Sequence, residues 1–189
     1  WIKTLFSYFS AHILSITLAI VAILGLAILY FEHKKLKTLK INNFFYMLIE
    51  SVCYAFILAL LLSSFVTFLF QMAAPQGVEQ LSMIQKIALS LGAGLYEELF
   101  FRVILVSGLL YIFKFFAQNN AAFLLSIITA ALLFSAVHYV GPLGDSFTAA
   151  SFVFRFLFGL ALNILYLRRG FGVAAWTHAF YDIMVIALS

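Results

Sequence analysis

The chain reads as six apolar runs separated by short polar or turn-forming breaks. The runs cover about residues 10–31, 44–73, 84–113, 121–140, 147–167 and 171–188. Between them stand the basic stretch His33-Lys34-Lys35-Leu36-Lys37-Thr38-Leu39-Lys40, then Ala74-Pro75-Gln76-Gly77, the connector 114–120, Gly141-Pro142-Leu143-Gly144-Asp145 and Arg168-Arg169-Gly170. A helix needs about 20 apolar residues to cross the hydrocarbon core, and each run supplies close to that or more. Strict alternation of apolar and polar positions is absent, which argues against an outer-membrane-type barrel. The pattern predicts an all-α, polytopic membrane bundle of about six transmembrane helices, forming a single integral-membrane domain over residues 1–189. The first run is too long for the apolar core of a cleaved signal peptide and is expected to be a span.

Composition agrees. Hydrophobic residues make up 66% of the chain and charged residues 10%, and the mean hydropathy is +1.13. An ordinary soluble domain is excluded. The formal charge of +4 implies no nucleic-acid partner, because the cations gather at the ends of the runs. Placing the 32–43, 114–120 and 168–170 loops inside collects Lys34, Lys35, Lys37, Lys40, Lys114, Arg168 and Arg169 there, leaving Lys3 and Lys86 outside, with both termini facing out. The expected partners are membrane lipid and a peptide or protein substrate, and the expected location is the plasma membrane of a bacterial-type cell. The sequence leaves the oligomeric state open. Cys53 is expected to be a small packed hydrophobe. The 23 phenylalanines, nine tyrosines and two tryptophans read as lipid-facing and interfacial residues rather than a cofactor site.

Against this background the polar residues inside the runs stand out. A charge at the bilayer centre costs about 2.5–3.5 kcal/mol on insertion scales. The third run nevertheless carries Gly92-Ala93-Gly94-Leu95-Tyr96-Glu97-Glu98-Leu99-Phe100-Phe101-Arg102. Glu98 and Arg102 are four apart and share a helix face, so they can pair. Glu97 points about 100° away, which suggests that one carboxylate is held by the arginine while the other acts. Gly92 and Gly94 would let another helix approach closely. The fourth run offers Phe134-Ser135-Ala136-Val137-His138, and the sixth His178-Ala179-Phe180-Tyr181-Asp182, with His178 and Asp182 on one face. Three runs thus each present an ionisable group, and these are expected to face one another inside the bundle. Elsewhere, Glu50 is expected to snorkel or to pair with a loop lysine, Arg155 to snorkel at the interface or to pair with Asp145, Asp182 or a headgroup, and Asn163 to make an interhelical hydrogen bond.

Such parts suit water attack on an amide: a glutamate as general base, a histidine to orient the water, and a second histidine with an acidic partner to receive an oxyanion. Other membrane-protease designs fit less well. There is no His-Glu-x-x-His zinc motif and no Gly-x-Ser-x-Gly elbow, and the Gly-x-Gly-Asp that aspartyl intramembrane proteases pair with Tyr-Asp is missing.

The series Glu97-Glu98-x-x-x-Arg102, Phe134-x-x-x-His138 and His178-x-x-x-Asp182 resembles the motifs of the CPBP family, the type II CAAX prenyl endopeptidase and bacteriocin-processing membrane proteins also called Abi. The resemblance implies an all-helical intramembrane glutamyl endopeptidase with no cofactor and no metal. In it Glu97 and His138 activate water, while His178 and Asp182 form the oxyanion site. Glu98 and Arg102 complete the candidate catalytic set. Asp182 stands where the prenyl-processing branch has asparagine. An ionised aspartate would repel an oxyanion, so Asp182 is expected to be protonated or to orient His178. Bacterial-type relatives imply peptide maturation or bacteriocin self-immunity ahead of CAAX processing. The competing functions are a non-proteolytic membrane partner or immunity protein, a metalloprotease with Glu97 or Glu98, His138 and His178 as ligands, and, more remotely, a proton-coupled transporter.

Overall fold

The computed structural model describes residues 30, 40–70, 82–141 and 144–188, which are helical, turn or irregular with no strand among them. The first predicted span apart from Tyr30, most of the basic stretch, and the break at 74–77 lie outside the described residues. The expected all-helical class is observed. Among the described residues the α-helices are α1 (Ile41–Phe70), α2 (Met83–Glu98), α3 (Ser107–Phe113), α4 (Asn119–Val137), α5 (Ala149–Arg169) and α6 (Phe171–Leu188). Among the described residues three stretches are long and apolar enough to cross a membrane, Ile41–Phe68, Asn119–Val137 and Ala149–Arg169, and Phe171–Ala187 is a shorter apolar helix. The chain is a multi-pass integral membrane protein.

The third predicted span differs from expectation. It is not one α-helix: Leu99–Val106 is wound as a π-helix between α2 and α3, and Glu98 and Ser107 on either side keep α-helical dihedrals. The helical run therefore continues from Met83 to Phe113, with the wider winding beginning directly after the paired carboxylates.

Local chemistry explains the helix ends. The Thr148 side chain accepts the Ser151 N–H at 3.1 Å, capping α5. At its other end Gly170 takes φ +93°, where L side chains are strained, and its N–H donates to the Tyr166 carbonyl. Arg168 and Arg169 occupy the last turn of α5, where cations complement the exposed carbonyls. Serines inside apolar helices turn back on their own backbone, as Ser51 does to the Met47 carbonyl, Ser90 to Lys86 and Ser126 to Ala122.

The residues fall into two compact units. In the larger, Met47–Ala136 with Phe147–Ser189, α6 is the helix that others approach. A Cβ at Gly94 of α2 would lie 2.6 Å from the Ala175 carbonyl oxygen and 2.8 Å from the Ala179 Cβ, so α2 and α6 meet nearly backbone to backbone. Gly172 faces the Met47 sulfur, and Ser51 Oγ lies 3.4 Å from the Val173 carbonyl, joining α1 to α6. On α5, Gly159 leaves room for the Phe134 ring of α4, whose Cδ1 would be 2.8 Å from an added Cβ. Asn163 Nδ2 donates to the Ile127 carbonyl at 2.8 Å, the expected interhelical bond, and Ser135 Oγ donates to the Phe152 carbonyl.

The close approach predicted for the two glycines belongs to Gly94 alone, since nothing lies within 4 Å of a Cβ at Gly92. Gly94→Ala is therefore expected to destabilise by about 1–3 kcal/mol through overpacking, whereas Gly92→Ala is expected to be neutral or to stabilise by up to about 1 kcal/mol through helix propensity. Parallel unfolding titrations in detergent would read the contrast.

Two other expectations, those for Glu50 and Cys53, are corrected. Glu50 pairs with Arg169, not a lysine, through two contacts of 2.6 Å that tie α1 to the end of α5. Arg155 donates to Ser151 Oγ at 2.6 Å, one turn away on its own helix. Cys53 is exposed on α1, among Val52, Phe56 and Ile57 on the same helix, rather than packed in the core.

The smaller unit includes the turn after α4. Within it the Asp145 N–H donates to the His138 carbonyl at 2.9 Å, and a Cβ at Gly144 would meet the Tyr139 backbone at 2.8 Å. Gly144 and Asp145 thus lie against the turn residues that directly follow α4.

Candidate active site

The polar centre of the larger unit is built on Glu98. It closes α2, has no solvent exposure, and lies on the side where Gly94 brings α6 close. Its Oε1 is 2.8 Å from His178 Nδ1 on α6, and its Oε2 is 2.8 Å from Arg102 Nε on the π segment. One carboxylate therefore joins two helical runs. On the other edge of the imidazole, His178 Nε2 is 3.7 Å from Asp182 Oδ2, too long for a hydrogen bond but close enough for an electrostatic contact. The order Arg102–Glu98–His178–Asp182 is a continuous polar chain.

Arg102 is fully buried and held in an unusual way. Its Nε approaches Glu98 Oε2 off the N–H axis, so the contact is an ion pair by distance without being a directed hydrogen bond. Nη1 and Nη2 have no hydrogen-bond partner among the described residues. Aromatic faces take their place: the guanidinium carbon is 4.7 Å from the Phe134 centroid and 5.9 Å from that of Phe101. Both are within the roughly 6 Å over which a ring quadrupole attracts a cation.

The same rings enclose the histidine. Phe158 and Phe134 stand at 5.2 and 6.2 Å from His178 in edge-to-face arrangement, and Phe101 packs on Phe134 at 5.1 Å. Phe158 also meets Tyr181 at 4.5 Å, and Phe154 meets it at 5.9 Å, extending the wall beside Asp182. Phe101, Phe134 and Phe158 are buried. These phenylalanines are not lipid-facing, as the composition suggested, but form the wall of the polar centre. The sequence carried one hint of this: Phe134 stands one turn before His138.

Of the residues singled out from sequence, Glu98, Arg102, His178 and Asp182 are brought into contact. Glu97, half-buried at the end of α2, lies within electrostatic reach of His178, Asp182, Glu98 and Arg102. His138 belongs to the smaller unit, in the turn that follows α4, and is half-buried there. Helical spacing pairs Glu98 with Arg102 alone. The second bond of Glu98, to His178, joins residues 80 positions apart, beyond anything that spacing within one helix can disclose. Among the described residues no group of three or more His, Cys, Asp or Glu side chains is arranged to hold a metal ion.

A carboxylate that fixes an imidazole through Nδ1 settles which ring edge faces the remaining space. Aromatic walls around such a pair limit water, so the polar groups act on one another at short range. That is an arrangement for orienting a histidine beside a second carboxylate.

The family model described as type II CAAX prenyl endopeptidase Rce1-like matches residues 79–184, more than half the chain, and this stretch contains every residue of the polar centre. No curated protein and no solved structure matches the chain significantly. The chain belongs to the Rce1-like family of type II CAAX prenyl endopeptidases, which are membrane proteases.

Proposed function

We propose that the protein is a metal-independent glutamyl endopeptidase that hydrolyses a peptide bond at the membrane. Glu97 is the general base. It takes a proton from a water, and the resulting hydroxide attacks the scissile carbonyl carbon. The tetrahedral oxyanion is received by His178 Nε2. With both nitrogens protonated, the ring donates Nδ1–H to Glu98 and Nε2–H to the oxyanion. Asp182 then serves to orient His178 or, when protonated, to donate as well. As the C–N bond breaks, the proton held by Glu97 passes to the departing amine.

The observation that carries this reading is the 2.8 Å bond between Glu98 and His178. It supports different roles for the paired glutamates, since Glu98 contacts both Arg102 and the imidazole while Glu97 is left beside them. Peptide maturation or bacteriocin self-immunity in a bacterial-type plasma membrane are the roles we favour, with CAAX-type C-terminal processing as the alternative that the family's name describes.

The test uses the purified chain in lipid nanodiscs, with a farnesylated CAAX peptide and an unmodified apolar leader peptide as probes. Cleavage of at least one is expected, and it should persist within about twofold in the presence of a strong chelator, because the base needs no metal to act. Loss of cleavage on chelation, with recovery on adding zinc, would replace this mechanism by a metal-dependent one. A phenotype that survives loss of the motif residues would favour a non-proteolytic partner.

A further inference from the structure

Arg102 has no directed side-chain hydrogen bond among the described residues to fix it. Its ion pair with Glu98 is off-axis and its remaining contacts are ring faces, neither of which sets a position sharply. The backbone that carries it must do so instead. That backbone is the π segment Leu99–Val106, a winding that is rare and usually confined to short bulges. The segment is closed at its C-terminal end on the Arg102 carbonyl itself. At this cap the backbone N–H bonds reach the Arg102 carbonyl, in the five-residue π pattern, and the Ile104 carbonyl, and Ser107 Oγ lies 3.4 Å from the former. Ser107 Oγ is in turn 3.0 Å from the Tyr166 hydroxyl on α5. One assignment satisfies every group: the Tyr166 O–H donates to Ser107 Oγ, whose own O–H donates to the Arg102 carbonyl.

We propose that Ser107 and Tyr166 are positioning residues that hold the π winding and thereby seat the Arg102 guanidinium between Glu98 and Phe134. Without the clamp the Arg102 carbonyl can return to the four-residue α ladder, which turns the residue about the helix axis and carries its side chain away from Glu98. Glu98 then loses one of its two partners, and His178 loses a fixed orienter. The effect on catalysis rests on the protease reading; the effect on the helix does not.

The full chain in nanodiscs is compared with Ser107→Ala, Tyr166→Phe and Ser107→Thr by amide hydrogen exchange and by peptide cleavage. Loss of the clamp is expected to raise exchange at residues 103–107 about tenfold in Ser107→Ala and Tyr166→Phe, the scale of one net hydrogen bond. In the same two variants kcat is expected to fall by about ten- to a hundredfold, as for a misplaced group of the site, with KM within about twofold of wild type. Ser107→Thr, which keeps the hydroxyl, is expected to behave as wild type. Wild-type exchange in both clamp variants, or a threonine variant as impaired as the alanine one, overturns the assignment. The exchange comparison decides this question by itself, and cleavage by the wild type decides the protease reading.

Discussion

Replacing Glu97 with glutamine is expected to lower peptide cleavage by about 10²–10⁴-fold, the usual worth of a positioned general base, while insertion and folding stay as in the wild type. The separation of the two effects follows from where Glu97 sits. It is half-buried beside the polar chain, whereas the fully buried carboxylate of the pair is Glu98. Glutamine keeps the size and one acceptor oxygen of the side chain but cannot take up the proton, so the change acts on the reaction and spares the packing. Unfolding midpoints in detergent, measured beside cleavage of the same peptide, would show this. A glutamine variant that cleaves at the wild-type rate would sink the mechanism, and one that fails to fold would show that Glu97 shares the structural role of Glu98.

Arg102 is expected to behave in the opposite way. Arg102→Met removes one partner from an ion pair with no solvent exposure on either side and should destabilise by about 3–5 kcal/mol, because it strands a buried carboxylate. The informative variant is the double one. Glu98→Gln with Arg102→Met leaves no stranded charge and retains an acceptor oxygen for His178 Nδ1, so much of the lost stability should return, although cleavage should not. Stabilities that simply add across the two sites would mean that the 2.8 Å contact carries little coupling. Methionine fills most of the space left by the guanidinium stem and still packs on the Phe134 ring, which keeps cavity effects from mimicking a lost charge.

How far these features could be read beforehand depends on whether their cause is local. The break at Gly170 was legible because its chemistry is local: Gly170 takes a positive φ, and α6 begins directly after it at Phe171, where the apolar run was expected to begin. The Glu98–Arg102 pair was legible because one helical turn dictates it. The bond from Glu98 to His178 was not, because it depends on how α2 meets α6. Gly94 signalled that a close approach was possible without saying which helix would make it. The partner of Glu50 was equally hidden, since several cations stand near the run ends and nothing local selects Arg169. The π winding was invisible for another reason. Leu99-Phe100-Phe101-Arg102-Val103-Ile104-Leu105-Val106 is apolar at every position but one, so it has no face whose rotation would betray a change of register. Cys53 lies in a helix that is apolar all round, and its outward direction could not be told for the same reason.

One consequence concerns Gly159, which carries no chemistry of its own. The Phe134 ring fills the space that a methyl group at 159 would occupy, and that ring is the surface on which the Arg102 guanidinium rests. The depth of the cationic seat is therefore set from behind, by a missing carbon on a helix that contributes none of the charged groups. Thickening α5 by one methyl would press the ring toward the arginine and tilt the floor beneath it. The electrostatics of the centre thus depend on the contour of an apolar surface two layers away.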